Sequence, residues 1–209
     1  MARSEGRCLS RRDVLNLAAM GSVAVLTGCG TEMWYGKDVT GILPDLDFDL
    51  TRARDGQAVA EEDYEGQVVA LFFGFTFCPD ICPMTLSNLS GIVDRLGKDA
   101  DDLSILFVTV DPDRDTLPVL ADYTAAFTPR AAGLRGTPDQ LARLARRLKV
   151  TYKVEPHPEG GVDYAVSHGK SVYVFDRSGA ARVLWPEFDT LQADVAAATE
   201  VIQRLIAGE

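Results

Sequence analysis

The chain has 209 residues, which is enough for one domain with a full hydrophobic core or for two small ones. Its 31 acidic residues outnumber its 21 basic residues, and the formal net charge at pH 7 is −10. A nucleic-acid partner requires a basic surface, so this charge balance argues against one.

The first 28 residues are predicted to be a signal peptide. The segment Ser10-Arg11-Arg12-Asp13-Val14-Leu15 resembles a twin-arginine export motif, and the uncharged apolar stretch from Leu17 to Leu26 follows it. That stretch is shorter than the roughly 20 apolar residues that span a bilayer. It ends in Leu26-Thr27-Gly28-Cys29, which resembles the lipobox of exported lipoproteins with Cys29 as the acylated residue. A plain amphipathic or transmembrane anchor is the alternative.

Residues 29–40 are predicted to be a lipidated tether that holds the protein at the outer face of the cell membrane, on the periplasmic or extracellular side. Each buried CH₂ of an acyl chain contributes about 0.8 kcal/mol, so two or three acyl chains give durable attachment. Trp34 and Tyr35 interrupt this polar, glycine-containing segment, and we expect them either to pack on the domain or to lie in the membrane interface. Residues 41–209 then form the folded domain.

The first half of that domain has the pattern of a βαβ unit. An alternating stretch, Asp47–Thr51, and the turn Arg54-Asp55-Gly56-Gln57 predict an N-terminal β-hairpin. The continuous apolar run Val68–Phe75 is typical of a strand buried on both faces, and so is Leu103–Val110. A helix from about Pro83 to Leu96 is predicted between them, so these two strands should be parallel with a right-handed crossover.

The second half adds helices and a hairpin. Asp115 and Thr116 are expected to cap a helix rather than to act chemically. The overall order predicts an α/β protein of the thioredoxin-like fold, with a central mixed sheet flanked by helices and an N-terminal β-hairpin extension. The remaining predicted elements are a helix over Leu117–Phe127, a helix opened by Thr137-Pro138, short extended pieces at Tyr152–Val154 and Val162–Val166, strands at Lys170–Asp176 and Ala181–Trp185, and a last helix from about Thr190 to Ala207.

Two cysteines, Cys78 and Cys82, follow directly after the first buried strand. The carboxyl edge of the strands is where open α/β sheets build their sites. Pro83 suits the first helical position, which places Cys78 on the loop and Cys82 at the helix entrance. The helix N-terminus is expected to lower the pKa of Cys82 below about 8.5. Such a pair is redox-active, metal-binding or both, because a structural disulfide closing so small a loop would restrain little of the unfolded chain.

A third ligand would distinguish metal binding from redox chemistry, and the chain has only two histidines. His157 lies between prolines in a predicted loop and is expected to face water. His168 immediately precedes the predicted strand Lys170–Asp176. In thioredoxin-like folds the residue before this strand lies across from the cysteine pair. Two thiolates and one imidazole suit copper, because thiolates select Cu(I) and imidazole also serves Cu(II).

Three motifs occur in order along the chain: Phe75-Thr76-Phe77-Cys78-Pro79-Asp80-Ile81-Cys82-Pro83, Val110-Asp111-Pro112-Asp113-Arg114-Asp115-Thr116 and Ser167-His168. Together they resemble the SCO/SenC family of copper-binding, membrane-tethered, thioredoxin-like proteins. The resemblance covers the chain from Gly41 to the C-terminus. It implies a copper ion bound by Cys78, Cys82 and His168, and a role in assembling the dinuclear copper (CuA) centre of cytochrome c oxidase, with the copper-accepting oxidase subunit as partner. Family members often carry Asp where this chain has Ser167, which concerns affinity more than ligand identity.

Two functions remain open from the sequence. The first is a copper metallochaperone, which is not itself an enzyme. The second is a membrane-tethered thiol–disulfide oxidoreductase, in which Cys78 and Cys82 are a redox pair that reduces the cysteines of the oxidase subunit through a mixed disulfide. Both could operate in sequence, because a dithiol must be reduced before it accepts metal. A peroxidase of the peroxiredoxin type is a third hypothesis with less support.

Overall fold

A computed structural model describes residues 34–158, 160–161 and 163–209. The predicted signal peptide and Cys29 lie outside these residues. The compact unit begins at Trp34 and continues to Glu209. Among the described residues, no helix combines the length and the apolar character needed to cross a bilayer.

The domain is built from short strands and α-helices, which alternate between residues 68 and 147. Short 3-10 turns lie at Glu61–Tyr64 and Gly97–Asp102. The elements of the described residues, in chain order, are β1 (Lys37–Asp38), β2 (Asp49–Arg52), β3 (Ala58–Ala60), β4 (Val68–Gly74), α1 (Ile81–Leu96), β5 (Leu103–Thr109), α2 (Leu117–Ala125), β6 (Ala131–Arg135), α3 (Pro138–Arg147), β7 (Tyr152–Val154), β8 (Val166–His168), β9 (Val172–Phe175), β10 (Ala181–Trp185) and α4 (Val195–Ala207).

A mixed sheet of eight strands, in the order β1-β10-β9-β4-β5-β6-β2-β3, forms the centre of the domain. Strands β4, β5 and β6 are parallel, and the other pairs are antiparallel. β4 pairs with β5 along its whole length, from Val68 opposite Leu103 to Gly74 opposite Thr109. Helix α1 makes the crossover between these strands. β4 is buried at every residue, as expected for a parallel strand covered on both faces.

Two apolar cores cover the two faces of the sheet, because successive side chains of a strand point to opposite faces. Phe72 and Phe107 belong to the core that α1 and α4 complete. Phe73 and Val108 belong to the other core, to which α3 contributes Leu141. Side chains of β4 therefore pack in both cores, and this packing fixes the position from which the loop after β4 begins.

The predicted α/β architecture, with its central mixed sheet and N-terminal hairpin, is confirmed. The hairpin of β2 and β3 joins the main sheet through β6. Strand β6 was not predicted, because Ala131–Arg135 lacks the β-branched and aromatic residues that are typical of strands. The last helix begins at Val195 rather than near Thr190.

A separate two-stranded antiparallel sheet is formed by β7 and β8, with Tyr152 opposite His168 and Val154 opposite Val166. We call these strands and the described residues between them, 152–158, 160–161 and 163–168, the β-arm. The second strand of the arm had been predicted at Val162–Val166 and instead ends at His168.

Part of the predicted tether packs on the domain. The ring of Trp34 lies 5.3 Å from the guanidinium of Arg182 and 4.8 Å from that of Arg204, at cation–π distances. The backbone carbonyl of Tyr35 accepts a hydrogen bond of 2.8 Å from the indole N–H of Trp185. Strand β1 then pairs with β10. Of the two expectations for Trp34 and Tyr35, the structure shows packing on the domain.

Candidate metal centre

Cys78, Cys82 and His168 meet at the carboxyl edge of β4. Their ligand atoms, two Sγ and one imidazole nitrogen, all lie within 4.8 Å of one another. The Sγ atom of Cys82 is 3.5 Å from Nε2 of His168. The two cysteines are not joined in a disulfide. Within the described part of the chain, no other group of three His, Cys, Asp or Glu side chains is close enough to hold a metal ion.

The two cysteines lie on one loop and the helix that follows it, as predicted. We call residues 75–82 the cysteine loop. The N–H of Cys78 donates a hydrogen bond of 3.1 Å to the carbonyl of Phe75, which closes the turn carrying the first thiol. Helix α1 begins at Ile81, so Pro83 is its third residue, where no intrahelical N–H bond is lost. Cys82 is fully buried and Cys78 is 8% exposed, so solvent reaches the pair from the side of Cys78.

Gly74 is the last residue of β4, and because it has no side chain, Sγ of Cys82 can occupy the space next to it. A Cβ atom at this position would lie 2.5 Å from Sγ of Cys82 and 2.4 Å from the ring of Phe107. Contacts that short require the neighbours to move, and both neighbours belong to the packed core. Glycine at the end of this strand is therefore a condition for the close approach of Cys82 to the sheet.

The two thiols differ in acidity. The S–H of Cys82 donates to the sulfur of Cys78, and this hydrogen bond lowers the pKa of Cys78 to about 3 against the opposing effect of burial. The backbone N–H groups of Cys82 and Asp80 lower the pKa of Cys78 further. The hydrogen bond to Cys78 and burial raise the pKa of Cys82. At neutral pH the pair is therefore a thiolate at Cys78 and a thiol at Cys82.

The predicted lowering of the pKa of Cys82 is wrong. The backbone N–H groups at the start of the helix do lower the pKa of a thiol, but the sulfur that accepts their hydrogen bonds is that of Cys78, which precedes the helix. Cys82 itself is carried into the core by the first turn of α1, where burial favours the neutral thiol.

His168 ends strand β8, and two neighbours orient its ring. Its Nδ1 donates a hydrogen bond of 2.9 Å to the backbone carbonyl of Gly169. This bond leaves Nε2 as the unprotonated nitrogen, and Nε2 faces Cys82. The ring packs edge-on against Phe75, with centroids 5.6 Å apart. The structure therefore brings together the three residues that the sequence nominated, while Ser167 lies exposed on the β-arm.

An open cavity of about 250 Å³ gives access to this group. Cys78 and His168 line it together with apolar side chains that include Phe75, Pro79 and Ile81. Ligand atoms at the wall of an open cavity can exchange an ion with a second protein.

Sequence reasoning missed the role of Asp115. Thr116, not Asp115, occupies the N-cap position of α2. Asp115 is fully buried, and its carboxylate accepts hydrogen bonds from the N–H and Oγ1 of Thr76 and from Oγ1 of Thr109. Burial raises the pKa of Asp115. The carboxylate anchors the chain two residues before Cys78. Polar residues placed directly after two neighbouring buried strands were the signal that could have revealed this contact.

His157 does not face water, as the sequence had suggested. Its side chain is 13% exposed, and its ring stacks on that of Tyr164. The flanking prolines indicated a loop correctly, but the stacking partner lies across that loop and leaves no local signal.

Comparison with known proteins identifies the group to which the chain is related. The SCO1/SenC family model matches residues 43–206. The chain belongs to the SCO1/SenC family. It is 40% identical over 135 residues to the mitochondrial SCO2 homolog of Bos taurus, a match covering 64% of this chain and 50% of that protein. It is 37% identical over 134 residues to the mitochondrial SCO1 homolog of Homo sapiens, covering 63% of this chain and 44% of that protein.

The matched region spans about half the length of these two curated relatives. Among solved structures, copper-bound ScoI of Bradyrhizobium japonicum aligns with a TM-score of 0.67 at 32% identity, covering 77% of this chain and 98% of that one. Copper-bound yeast Sco1 aligns with a TM-score of 0.69 at 29% identity, covering 79% and 91%. The thioredoxin-like fold and the family resemblance predicted from the sequence are confirmed.

Proposed function

We propose that this protein is a copper metallochaperone that binds Cu(I) or Cu(II) through Cys78, Cys82 and His168. The observation that carries the proposal is the meeting of two sulfurs and one imidazole nitrogen within 4.8 Å beside an open cavity. Thiolates select Cu(I), and imidazole also serves Cu(II), so the donor set fits copper. The related ScoI and Sco1 structures, each determined with copper bound, support the same assignment.

The chain's own groups prepare this site for a metal ion. Cys78 is ionised at neutral pH, so it can bind an ion without first losing a proton. Cys82 would release its proton on binding, as thiol ligands do. The hydrogen bond at Nδ1 keeps the ring proton of His168 on that nitrogen, so the lone pair of Nε2 is available to bind an ion. Because Cys78 and His168 line the cavity and Cys82 lies beneath them, an acceptor could replace the outer ligands first.

The cargo is proposed to be delivered to the copper-accepting subunit of a respiratory oxidase, where the protein assists assembly of the dinuclear CuA centre of cytochrome c oxidase. Membership of the SCO1/SenC family supports this destination. Transfer from the copper-loaded protein to the isolated acceptor subunit, followed through the absorption of the CuA centre, tests it. Failure of the loaded protein to raise the yield above that of free copper would contradict the proposal.

Copper titration of the reduced protein tests the ligand set. The natural chain should bind one copper ion per chain, and alanine at Cys78, Cys82 or His168 should each greatly weaken retention against a chromogenic copper chelator. Lys153→Ala is the matched control, because Lys153 lies exposed on the β-arm and pairs only with Glu155 among the groups described. A His168→Ala protein that retains copper as tightly as the natural chain would remove the third ligand from the assignment.

The alternative function, a thiol–disulfide oxidoreductase, is favoured by the low pKa of Cys78. In this reaction the Cys78 thiolate attacks a disulfide of the partner and releases one partner thiolate. Cys82, after losing its proton, then attacks the mixed disulfide, so the chain is oxidised to a Cys78–Cys82 disulfide and the partner gains two electrons as a dithiol. Disulfide reduction that persists without copper and in the His168→Ala protein would favour this function, and Cys82→Ala should trap the mixed disulfide.

We also propose that the protein is a lipoprotein, anchored through Cys29 at the outer face of the cell membrane after twin-arginine export. The motifs around Arg11-Arg12 and Cys29 support this location. Cys29→Ser should move the protein from the membrane fraction to the soluble fraction and abolish incorporation of labelled fatty acid. Cys8→Ser, which alters a cysteine inside the predicted signal peptide, should leave both unchanged. Membrane attachment that survives Cys29→Ser would point to an uncleaved transmembrane anchor.

A further inference from the structure

A stack of three side chains lies beside the metal site and is not part of the proposed ligand set. The rings of His157 and Tyr164 are parallel within 5°, with centroids 3.6 Å apart. The guanidinium of Arg114 lies 3.8 Å from the centroid of Tyr164. Because two groups at these distances cannot both lie on the same face of the Tyr164 ring, Tyr164 lies between His157 and Arg114. We call these three residues the aromatic stack.

Hydrogen bonds fasten the aromatic stack to the loop that follows β5. Asp111, which is 1% exposed, accepts hydrogen bonds from the phenol of Tyr164 and from Nε of Arg114. Nη1 of Arg114 also donates to the backbone carbonyl of Tyr164, at 3.2 Å. On the outer side, Nε2 of His157 lies 3.1 Å from a carboxylate oxygen of Asp113. Each member of the stack is thus held by a polar partner as well as by stacking.

The position of Tyr164 connects this cluster to His168. Both residues belong to the β-arm, and Tyr164 lies four residues before His168, on the segment that leads into β8. Among the described strands, β7 and β8 pair only with each other, and an isolated pair of strands is marginally stable in water. The place of His168 therefore depends on the side-chain contacts through which the β-arm packs on the rest of the domain.

Arg114 carries the connection on to the cysteine loop. Its guanidinium lies 5.0 Å from the ring centroid of Phe77 and 5.7 Å from that of Phe75. These two aromatic residues lie in the cysteine loop and precede Cys78 in the chain. Phe75 in turn packs edge-on against His168. One arginine therefore contacts the β-arm and the cysteine loop at the same time.

We propose that Tyr164 is a positioning residue for His168. The aromatic stack holds the β-arm against the loop after β5, and this contact keeps the imidazole within reach of the two sulfurs. The inference rests on the proposed function in taking His168 as the third copper ligand. Removing the phenol ring releases the segment that carries His168 and leaves copper with the sulfur ligands alone.

The test compares Tyr164 variants in the natural chain and in the His168→Ala chain. Copper affinity is measured by competition with a chromogenic chelator, and nitrogen ligation by the nitrogen hyperfine coupling in the electron paramagnetic resonance spectrum of the Cu(II)-loaded protein. Tyr164→Ala should lower copper affinity on the order of tenfold, as outer residues that orient metal ligands do, and should weaken the nitrogen coupling. In the His168→Ala chain the same change should cause no further loss.

Companion variants separate positioning from general damage. Tyr164→Phe keeps the ring and loses only the bond to Asp111, so its loss of affinity should be smaller. His157→Ala removes the ring that stacks on one face of Tyr164. It should lower copper affinity partly, and this loss should disappear in the His168→Ala chain. If Tyr164→Ala fails to fold, the His157→Ala variant still tests whether the stack positions His168. Lys153→Ala, on the β-arm outside the stack, should change neither measurement.

Three results would overturn the proposal. The first is unchanged affinity and nitrogen coupling in both Tyr164→Ala and His157→Ala. The second is an equal loss of affinity with and without His168, because the effect would then act on the sulfur ligands. The third is a His168→Ala chain that binds copper as tightly as the natural chain, which rejects the ligand assignment itself and so is distinguishable from a failure of the stack.

Discussion

The cysteine loop and the β-arm supply the ligands of one site, but they are held in place differently. The cysteine loop lies between β4, which pairs on both edges, and α1, and a buried carboxylate anchors its start. The β-arm pairs only with itself among the described strands and depends on side-chain contacts such as the aromatic stack. The two sulfurs are thus fixed by strand pairing and the core, whereas the imidazole is placed by side-chain contacts, which include the packing of Val166 of the β-arm on both cores.

The acidity of Cys78 gives the largest expected effect on the cysteine-loop side. With a pKa of about 3, Cys78 stays ionised at pH 5, where a thiol of ordinary pKa near 8.5 is ionised only at the level of about 3 in 10⁴. The thiolate absorbance of the reduced apoprotein should therefore persist as the pH falls through 7 to 5 and disappear only near 3.

Cys82→Ala is the control for this measurement. It removes the S–H donor that contributes most to the low pKa of Cys78, so the thiolate signal should then be lost at a higher pH. A natural protein whose thiolate signal disappears between pH 9 and 8 would show that Cys78 is not ionised at neutral pH.

Asp115→Ala should reduce stability strongly, because it leaves the N–H and hydroxyl of Thr76 and the hydroxyl of Thr109 without their acceptor. We expect a decrease of about 3 kcal/mol in the free energy of unfolding, measured by urea denaturation. Asp122→Ala, on the exposed side of α2, is the matched control and should change stability by less than about 0.5 kcal/mol. Equal effects of the two variants would mean that the buried carboxylate does not anchor the cysteine loop.

Two glycine substitutions compare the regions directly. Gly74→Ala forces a Cβ into the space of Cys82 and Phe107, and it should cost about 1–3 kcal/mol of stability and weaken copper retention. Gly169→Ala, next to His168, meets no atom closer than 3.5 Å and should be tolerated. Thermal unfolding and chelator competition measure both effects. If Gly169→Ala proves the more damaging variant, the β-arm is the more constrained of the two regions.

Among the variants that remove a contact, His157→Ala is expected to change global stability least. Loss of one stacked pair should lower the free energy of unfolding by less than about 1.5 kcal/mol. Hydrogen exchange should nevertheless speed up at the amide of Glu155, which bonds to the carbonyl of Ala165 within the β-arm, and stay unchanged in β4. Faster exchange in β4 as well would show that the arm and the core unfold together.

The sequence predicted the cysteine loop better than the β-arm, for physical reasons. The loop follows from local patterns: a continuous apolar strand, two prolines and a helix that begins within a residue or two of the expected position. The identity of His168 could be predicted from its place before β9, but not the contacts that hold it, because Tyr164 and Arg114 are 50 residues apart in the chain. The roles of Asp115 and Gly74 likewise depend on neighbours from other elements, which no local pattern reveals.

The hydrogen bond from Nδ1 of His168 to Gly169 limits how the proposed cargo can leave. With that nitrogen occupied by its proton, Nε2 is the one nitrogen of this ring that can bind an ion, and it lies 3.5 Å from Sγ of Cys82. An acceptor would therefore take the proposed cargo from this ring by replacing a single bond, the one at Nε2. It would approach from the side of the open cavity that Cys78 and His168 line.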